Sequence, residues 1–304
     1  MKRIILIFVF VSLSVTVNAQ ISRSYKPASV ENEKLGGSTP YLEAMKLNEQ
    51  AVRKAMKEND FRQAVSLLQK AVEIAPNCLN CRYNLGRSYI QIENFEEAAK
   101  IFEELVKANP NYADFQAGLG EVLTKQGLAQ ESIVYLRRAL ELQPIDAVTH
   151  CNLGISLHKL KDYKQALKHF DEAIKQKPDF GEAHANQGAA LFEIGRRKEA
   201  LKSLQKAHAL KPDAAEVLNN IGIVLLDMGK EKEAHKYLSE AVRLKPDYKE
   251  AIYNLAVSYL MQNEREKTWQ QFNILEKLDV NLAGQLKKQY WQKYVVSVSD
   301  LENK

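Results

Sequence analysis

Six prolines constrain this chain more than any other feature. Pro76, Pro110, Pro144, Pro178, Pro212 and Pro246 stand 34 residues apart, and of eight prolines in 304 residues only Pro27 and Pro40 lie off that grid. Proline lacks a backbone N–H and its ring clashes with the preceding turn, so each one stops a helix. A fixed period of this length marks a chain built from repeated supersecondary units. Glycine keeps the same beat at Gly86, Gly120, Gly154, Gly188 and Gly222. So does a small residue, at Ala64, Ala98, Ser132, Ala166, Ala200 and Ala234. Four places after each small residue comes a large one: Leu68, Phe102, Leu136, Phe170, Leu204 and Leu238.

Within a unit the apolar residues recur at helical spacing. Leu153, Leu157 and Leu160 mark a first helix, and Ala166, Leu167, Phe170, Ala173 and Ile174 a second. Lys161-Asp162 makes the turn between them, a place that holds Gly127, Gly195 or Gly229 in other units. A helix-interior glycine costs about 1 kcal/mol relative to alanine, so its recurrence implies close approach of a neighbouring helix. Asn77, Asn111, Asp179, Asp213 and Asp247 follow the prolines and read as helix N-caps, with Glu182, Glu216 and Glu250 three residues on completing capping boxes. Each unit is then helix, turn, helix, proline, cap. A lone hairpin of this kind cannot bury its apolar face, and stacked copies can.

This pattern resembles the tetratricopeptide-repeat family over 41–280, about seven units, best in "HCNLGISLHKLKDYKQALKHFDEAIKQKP" from His150 to Pro178. The resemblance implies an all-α fold, a right-handed α-α superhelix, with first helices lining an inner groove. The pattern fades at both ends. Val52 stands at the first glycine place; in the last unit Ala256 replaces glycine, Thr268 the small residue and Val280 the proline. Leu282, Leu286, Tyr290 and Tyr294 then recur every four residues, with Trp291 and Val295 beside them. That amphipathic helix is expected to cap the stack, the alternative being a docking helix for a partner, and a polar tail follows within 281–304.

The N-terminus reads as an export signal over 1–19. Lys2 and Arg3 precede an apolar run from Ile4 to Val17, and Val17-Asn18-Ala19 offers a small-residue cleavage site. The alternative is an uncleaved anchor. A polar leader over 20–40 is expected to be flexible. The expected location is the periplasm or envelope, or outside the cell. The formal charge of +5, to which Lys2 and Arg3 contribute, is too small and too scattered for a nucleic-acid footprint. No other stretch of the sequence reads as a membrane span.

Cys78 and Cys81 fall in the first turn of a helix, where a thiol pKa is lowered. No strand pattern supplies a thioredoxin-like setting, no His follows for haem attachment, and no second pair completes a zinc site. The readings left open are a local disulfide, unpaired thiols, and a redox or metal role. Cys151 reads as a core or groove thiol. His150 and His184 share a repeat place and could in principle approach a metal, the plainer reading being packed, hydrogen-bonded rings. No phosphate loop, nucleophile elbow or zinc helix appears, so the expectation is no enzyme, no cofactor and no metal.

Asn84, Asn152, Asn186, Asn220 and Asn254 each stand two residues before the glycine place, a series broken by Gln50 and Gly118. By the resemblance this place faces the groove, and the series is similar to the amide ladder of the peptide-binding repeats of O-linked N-acetylglucosamine transferases. An amide offers donors and an acceptor and can pair with a peptide bond. The other reading is that these amides brace neighbouring helices. The family's carboxylate-gripping mode wants Asn and a basic residue where Asp114 and Gly118 stand, and is not supported. Arg53, Lys57, Arg87, Lys125 and Lys159 fall on or near the inner face of the first four units, against Glu121, with Glu193 and Asp227 later; Tyr83, Phe192 and Tyr253 map there too. The function expected is a protein-binding scaffold holding an extended peptide or a partner helix. The alternatives are redox activity at Cys78/Cys81, or a structural role in an envelope or secretion assembly.

Overall fold

A computed structural model describes residues 38–302, and these form fifteen helices and no strand. The expected export signal, the leader up to residue 37 and the last two residues of the tail lie outside the described residues. No helix among the described residues is long and apolar enough to cross a membrane. Two compact units divide at Pro178/Asp179.

The N-terminal unit holds α1 (Thr39–Glu58), α2 (Phe61–Ile74), α3 (Leu79–Gln91), α4 (Phe95–Ala108), α5 (Ala113–Gln126), α6 (Ala129–Leu142), α7 (Ala147–Lys159) and α8 (Tyr163–Gln176). Each helix packs on the next, and the first helices α1, α3, α5 and α7 also touch in sequence to form one layer. The C-terminal unit holds α9 (Gly181–Glu193), α10 (Arg197–Leu210), α11 (Ala215–Asp227), α12 (Glu231–Leu244), α13 (Lys249–Met261), α14 (Arg265–Leu278) and α15 (Val280–Glu302). Its layer of first helices is α9, α11 and α13, and α15 packs on both α13 and α14, where the first helix of a further hairpin would sit. The all-α stacking of hairpins is therefore present in both units, and the capping helix takes its expected place.

The periodic residues explain the hairpins. Ala166, Phe170 and Ala173 are wholly buried on α8, and a Cβ added at Gly154 would lie 2.5 Å from the Phe170 ring. The glycine place is therefore where the large residue of the second helix presses on the first. Each intra-hairpin turn contains one residue in the left-handed region: Asn59, Glu93, Gly127, Lys161, Gly195, Gly229 and Asn263, again 34 apart. Glycine holds three of these places, and the other four accept the left-handed conformation with a side chain.

The capping expectation needs correction. The residue after each proline lies in the turn, and the N-cap comes one place later, at Cys78, Tyr112, Asp146, Phe180, Ala214 and Tyr248. Of these only Asp146 caps with a carboxylate, accepting from Val148 and Thr149 N–H. Phe180, Ala214 and Tyr248 are buried, so at this corner burial of an apolar side chain outweighs a cap worth about 1 kcal/mol. Glu182, Glu216 and Glu250 stand in the first turn, where the helix dipole favours acids. Carboxylate and amide caps occur instead on second helices, where Asp60, Asn94 and Asp162 accept from the N–H three residues on. The first helix begins at Thr39 and takes Pro40 into its opening turn, a position where the missing N–H costs nothing.

Candidate binding face

The five asparagines do occupy the first helices, and all five are buried. In the N-terminal unit Asn84 Nδ2 donates to Asn48 Oδ1 at 2.8 Å, joining α3 to α1. In the C-terminal unit Asn254 Nδ2 donates to Asn219 Oδ1 at 2.9 Å, joining α13 to α11, and Asn219 Nδ2 lies 3.5 Å from Asn220 Oδ1. These contacts brace neighbouring helices. Their partners Asn48 and Asn219 were not legible in the sequence because neither falls on the ladder's grid; the tandem Asn219-Asn220 was the one available signal. Asn186 differs. It is 0% exposed, and neither its Nδ2 nor its Oδ1 has a hydrogen-bond partner.

The basic residues separate in the same way. Arg53 is exposed. Arg87 is buried and paired with Glu121 on the next first helix, so its charge is neutralised inside the layer. Lys159 donates through Nζ to the Thr124 carbonyl at 2.7 Å. Burial, and then the neighbouring charge of Lys125, hold the Lys159 ammonium below its ordinary range. Beside it Thr124, Ser132 and Ser156 form a closed hydroxyl triangle with oxygens 2.7, 2.9 and 3.0 Å apart. The Gly120 carbonyl lies 2.8 Å from both Thr124 Oγ1 and Ser132 Oγ and accepts from one of them, since each hydroxyl has a single proton to give. In the C-terminal unit Asp227 pairs with Arg197, while Glu193 is exposed.

Of the aromatics expected on the inner face, Tyr83 is half-buried and packs edge-on to Phe102 and against Phe115 beside the core. Tyr253 is 0% exposed and accepts from Gln289 of α15 at 2.9 Å, so the capping helix covers it.

Cys78 and Cys81 form a disulfide with Cα atoms 5.3 Å apart. Both are 0% exposed, under Tyr41 and Ala44 of α1. The bridge joins the N-cap of α3 to the residue three places on, whose N–H points back at the Cys78 sulfur. Cys151 is a buried free thiol. His150 does not wait for His184: it meets His169 of its own hairpin.

Family models of the tetratricopeptide repeat match residues 55–122 and 111–179, and that of the N-terminal TPR repeats region of Psidin matches 157–280. No curated protein matches the chain in sequence. Among solved structures it is similar to a chain of the APC/C hetero-tetramer Cut9–Hcn1, with a TM-score of 0.68 and 18% identity, over 71% of this chain and 43% of that one. This chain thus spans under half of that relative. It is also similar to PilW, a type IV pilus biogenesis factor, with a TM-score of 0.60 and 18% identity, over 68% and 96% of the two chains. A third is YrrB, described as a TPR protein with an unusual peptide-binding site, with a TM-score of 0.50 and 24% identity, over 62% and 99%. At these identities the likeness is one of fold.

Proposed function

The chain belongs to the tetratricopeptide-repeat family, and on that premise we propose that it is a non-catalytic protein-interaction scaffold that holds an extended peptide against the first helices of its C-terminal unit. The observation that carries this reading is Asn186, whose amide has no partner on either atom and, being 0% exposed, would meet the strand only where neighbouring side chains part to admit it. An unmade hydrogen bond on a buried polar group costs about 1–3 kcal/mol, and a peptide bond offers the acceptor and donor that would satisfy both ends. First helices lie about 8–10 Å apart and an extended chain rises about 3.3 Å per residue. Asn186 on α9 and Asn220 on α11 would therefore meet about every third residue of the bound strand. Asn254, tied to Asn219, serves the layer itself. In the N-terminal unit Asn152 has the same repeat place, and Arg53 and Lys125 lie on that unit's own first helices.

Burial of both sulfurs speaks against the redox alternative, since exchange needs an accessible thiolate; the bridge closes the start of α3. The apolar run Ile4–Val17 supports export as part of the proposal.

The test is capture of a binding peptide from a displayed library by the chain lacking 1–19. Asn186→Ala should weaken the selected peptide about tenfold, the equivalent of about 1.4 kcal/mol, and adding Asn220→Ala should weaken it further. Equal binding by the double variant would place recognition elsewhere, on the convex side or the terminal helix.

A further inference from the structure

The glycines inside the first helices of the hairpins each have a large side chain against them. A Cβ added at Gly86, Gly118 or Gly154 would strike a phenylalanine ring of a second helix, and one at Gly120, Gly188 or Gly222 a leucine. Gly284 of α15 is different, since a Cβ there would meet nothing within 4 Å. A glycine inside a helix costs about 1 kcal/mol relative to alanine, and in the hairpins the packing of a second helix offsets that cost. α15 stands in the place of a first helix, packed on α13 and α14, and no second helix follows it among the described residues.

The face of α15 turned away from α13 and α14 has its own chemistry. Gly284, Lys288 and Trp291 succeed one another at steps of four and three, which places them on one side of the helix. Lys287 stands beside them, and all four are exposed. Trp291 is 49% exposed and meets the Tyr290 ring edge-on, with centroids 5.7 Å apart. Tyr290 lies 5.7 Å from Trp269 of α14, itself 38% exposed. The chain has two tryptophans, and both are here. Lys287 reaches over the Phe272 ring at 5.9 Å. Neither Lys287 nor Lys288 makes an ion pair among the described residues, and no residue from Val280 to Tyr294 is acidic. Lys293 is turned inward, donating to the Leu260 carbonyl.

We propose that this face is the seat of an acidic amphipathic helix of a partner protein, laid along α15 as second helices lie along first helices in the hairpins. Gly284 receives a leucine or phenylalanine of that helix, as Gly154 receives Phe170 and Gly188 receives Leu204. Lys287 and Lys288 take carboxylates from its flanks. Trp291, about 10 Å or two turns further along α15, packs on its other end, and tryptophan is among the residues that dominate interface energies. Charge complementarity selects the occupant. A second copy of α15 would set lysine against lysine. A flat anionic membrane would also press on the exposed Glu266 and Glu276 of α14, which a single helix along α15 need not meet. The capping and docking readings of this helix thus belong to its two faces. The seat is separate from the amide of Asn186, so this inference and the groove reading fail independently.

Selection of single helices of randomised charge from a displayed library by the full chain tests the proposal, each selected helix then being made as a synthetic peptide. Tryptophan fluorescence reads its binding, because Trp269 and Trp291 are the chain's only tryptophans. The expected peptide is acidic, carries leucine or phenylalanine on its apolar stripe, and shifts the emission to the blue. Gly284→Leu fills the seat and should weaken binding about tenfold, the effect of overpacking a fitted contact. Its site is exposed and helical, so the fold should hold, and circular dichroism checks this. Lys287→Glu with Lys288→Glu should abolish the preference for acidic helices, and this variant decides if Gly284→Leu does not fold. Asn186→Ala should leave the peptide's affinity unchanged. Selection of neutral or basic helices, failure to retain any helix, or unchanged binding in either folded variant overturns the proposal. A blue shift produced by phosphatidylglycerol vesicles and by no peptide overturns it too, and would make the face a lipid contact.

Discussion

The N-terminal unit ties its layer of first helices with an ion pair between Arg87 and Glu121 and a hydroxyl triangle of Thr124, Ser132 and Ser156. The C-terminal unit carries Ala189, Ile223 and Val257 at the repeat place of Arg87, Glu121 and Ile155, each 0% exposed, and uses amides for its polar ties. The scaffold places are the same in both: proline corner, glycine contact, left-handed turn. The column beside the glycine is free to vary, because the glycine and the large residue of the second helix already fix the hairpin. A polar tie satisfied within the layer stabilises the stack and has little left to offer a ligand. An amide that is not satisfied does the reverse.

The sharpest way to break that contrast is to cut the charged tie. Glu121→Ala leaves Arg87 buried without its carboxylate and should destabilise the N-terminal unit by about 3–5 kcal/mol. The double replacement Arg87→Met with Glu121→Leu should restore most of this, since a buried pair is often no better than its apolar substitute. Urea unfolding of the three proteins measures it. A small loss in Glu121→Ala would mean that water reaches Arg87.

Acid should separate the units next. Burial lowers His158 and His169, both in the N-terminal unit, from the usual 6.5 to about 4, and moves His235 of the C-terminal unit in the same direction, so the N-terminal unit carries the larger acid response. A folded-state pKa below the unfolded one means that the unfolded chain takes up more protons between these values. Stability is therefore full above about pH 6.5 and declines as pH falls towards 4, by up to about 3 kcal/mol for the well-buried His158 and less for part-exposed His169. Thermal melts between pH 7 and 4 should show this loss, and His158→Gln should flatten it. Identical curves for the two proteins would assign the acid lability to other groups.

A third contrast lies among the asparagines themselves. Asn254→Ala strips the Asn219 carbonyl of its donor and should cost about 1–3 kcal/mol, whereas Asn186→Ala removes a group with nothing to lose and should be neutral or stabilising. If both lose stability alike, as read from the midpoint of chemical unfolding, Asn186 is bracing the layer as Asn254 does and the peptide proposal loses its support.

What could be read from the sequence follows the same division. The hairpin grid was legible because proline, glycine and the large residue of the second helix answer to backbone and volume constraints that recur in every unit. The caps were misplaced by one residue, since Phe180, Ala214 and Tyr248 bury apolar side chains where a capping side chain would otherwise stand. The ladder's residues were visible but their partners were not. Asn48, Asn219 and His169 sit off the grid, and only the packing of one helix on another chooses them.

The left-handed turn is the finest test of how far the repeat grid governs both units. Gly195 and Gly229 occupy that place in the C-terminal unit, while Glu93 and Lys161 occupy it in the N-terminal unit with φ of 59° and 62°. A side chain in this region costs about 1–2 kcal/mol, and glycine removes that cost while losing more freedom on folding, worth about 0.5–1 kcal/mol. Lys161→Gly should therefore stabilise the N-terminal unit by a few tenths to about 1 kcal/mol, and Gly229→Lys should destabilise its counterpart by a similar amount. Lys161 makes no hydrogen bond or ion pair through its side chain among the described residues, so the swap reports on the backbone alone. Paired melts of the two reciprocal variants measure it. A loss of stability in Lys161→Gly would show that the turn is held by something other than the sign of φ.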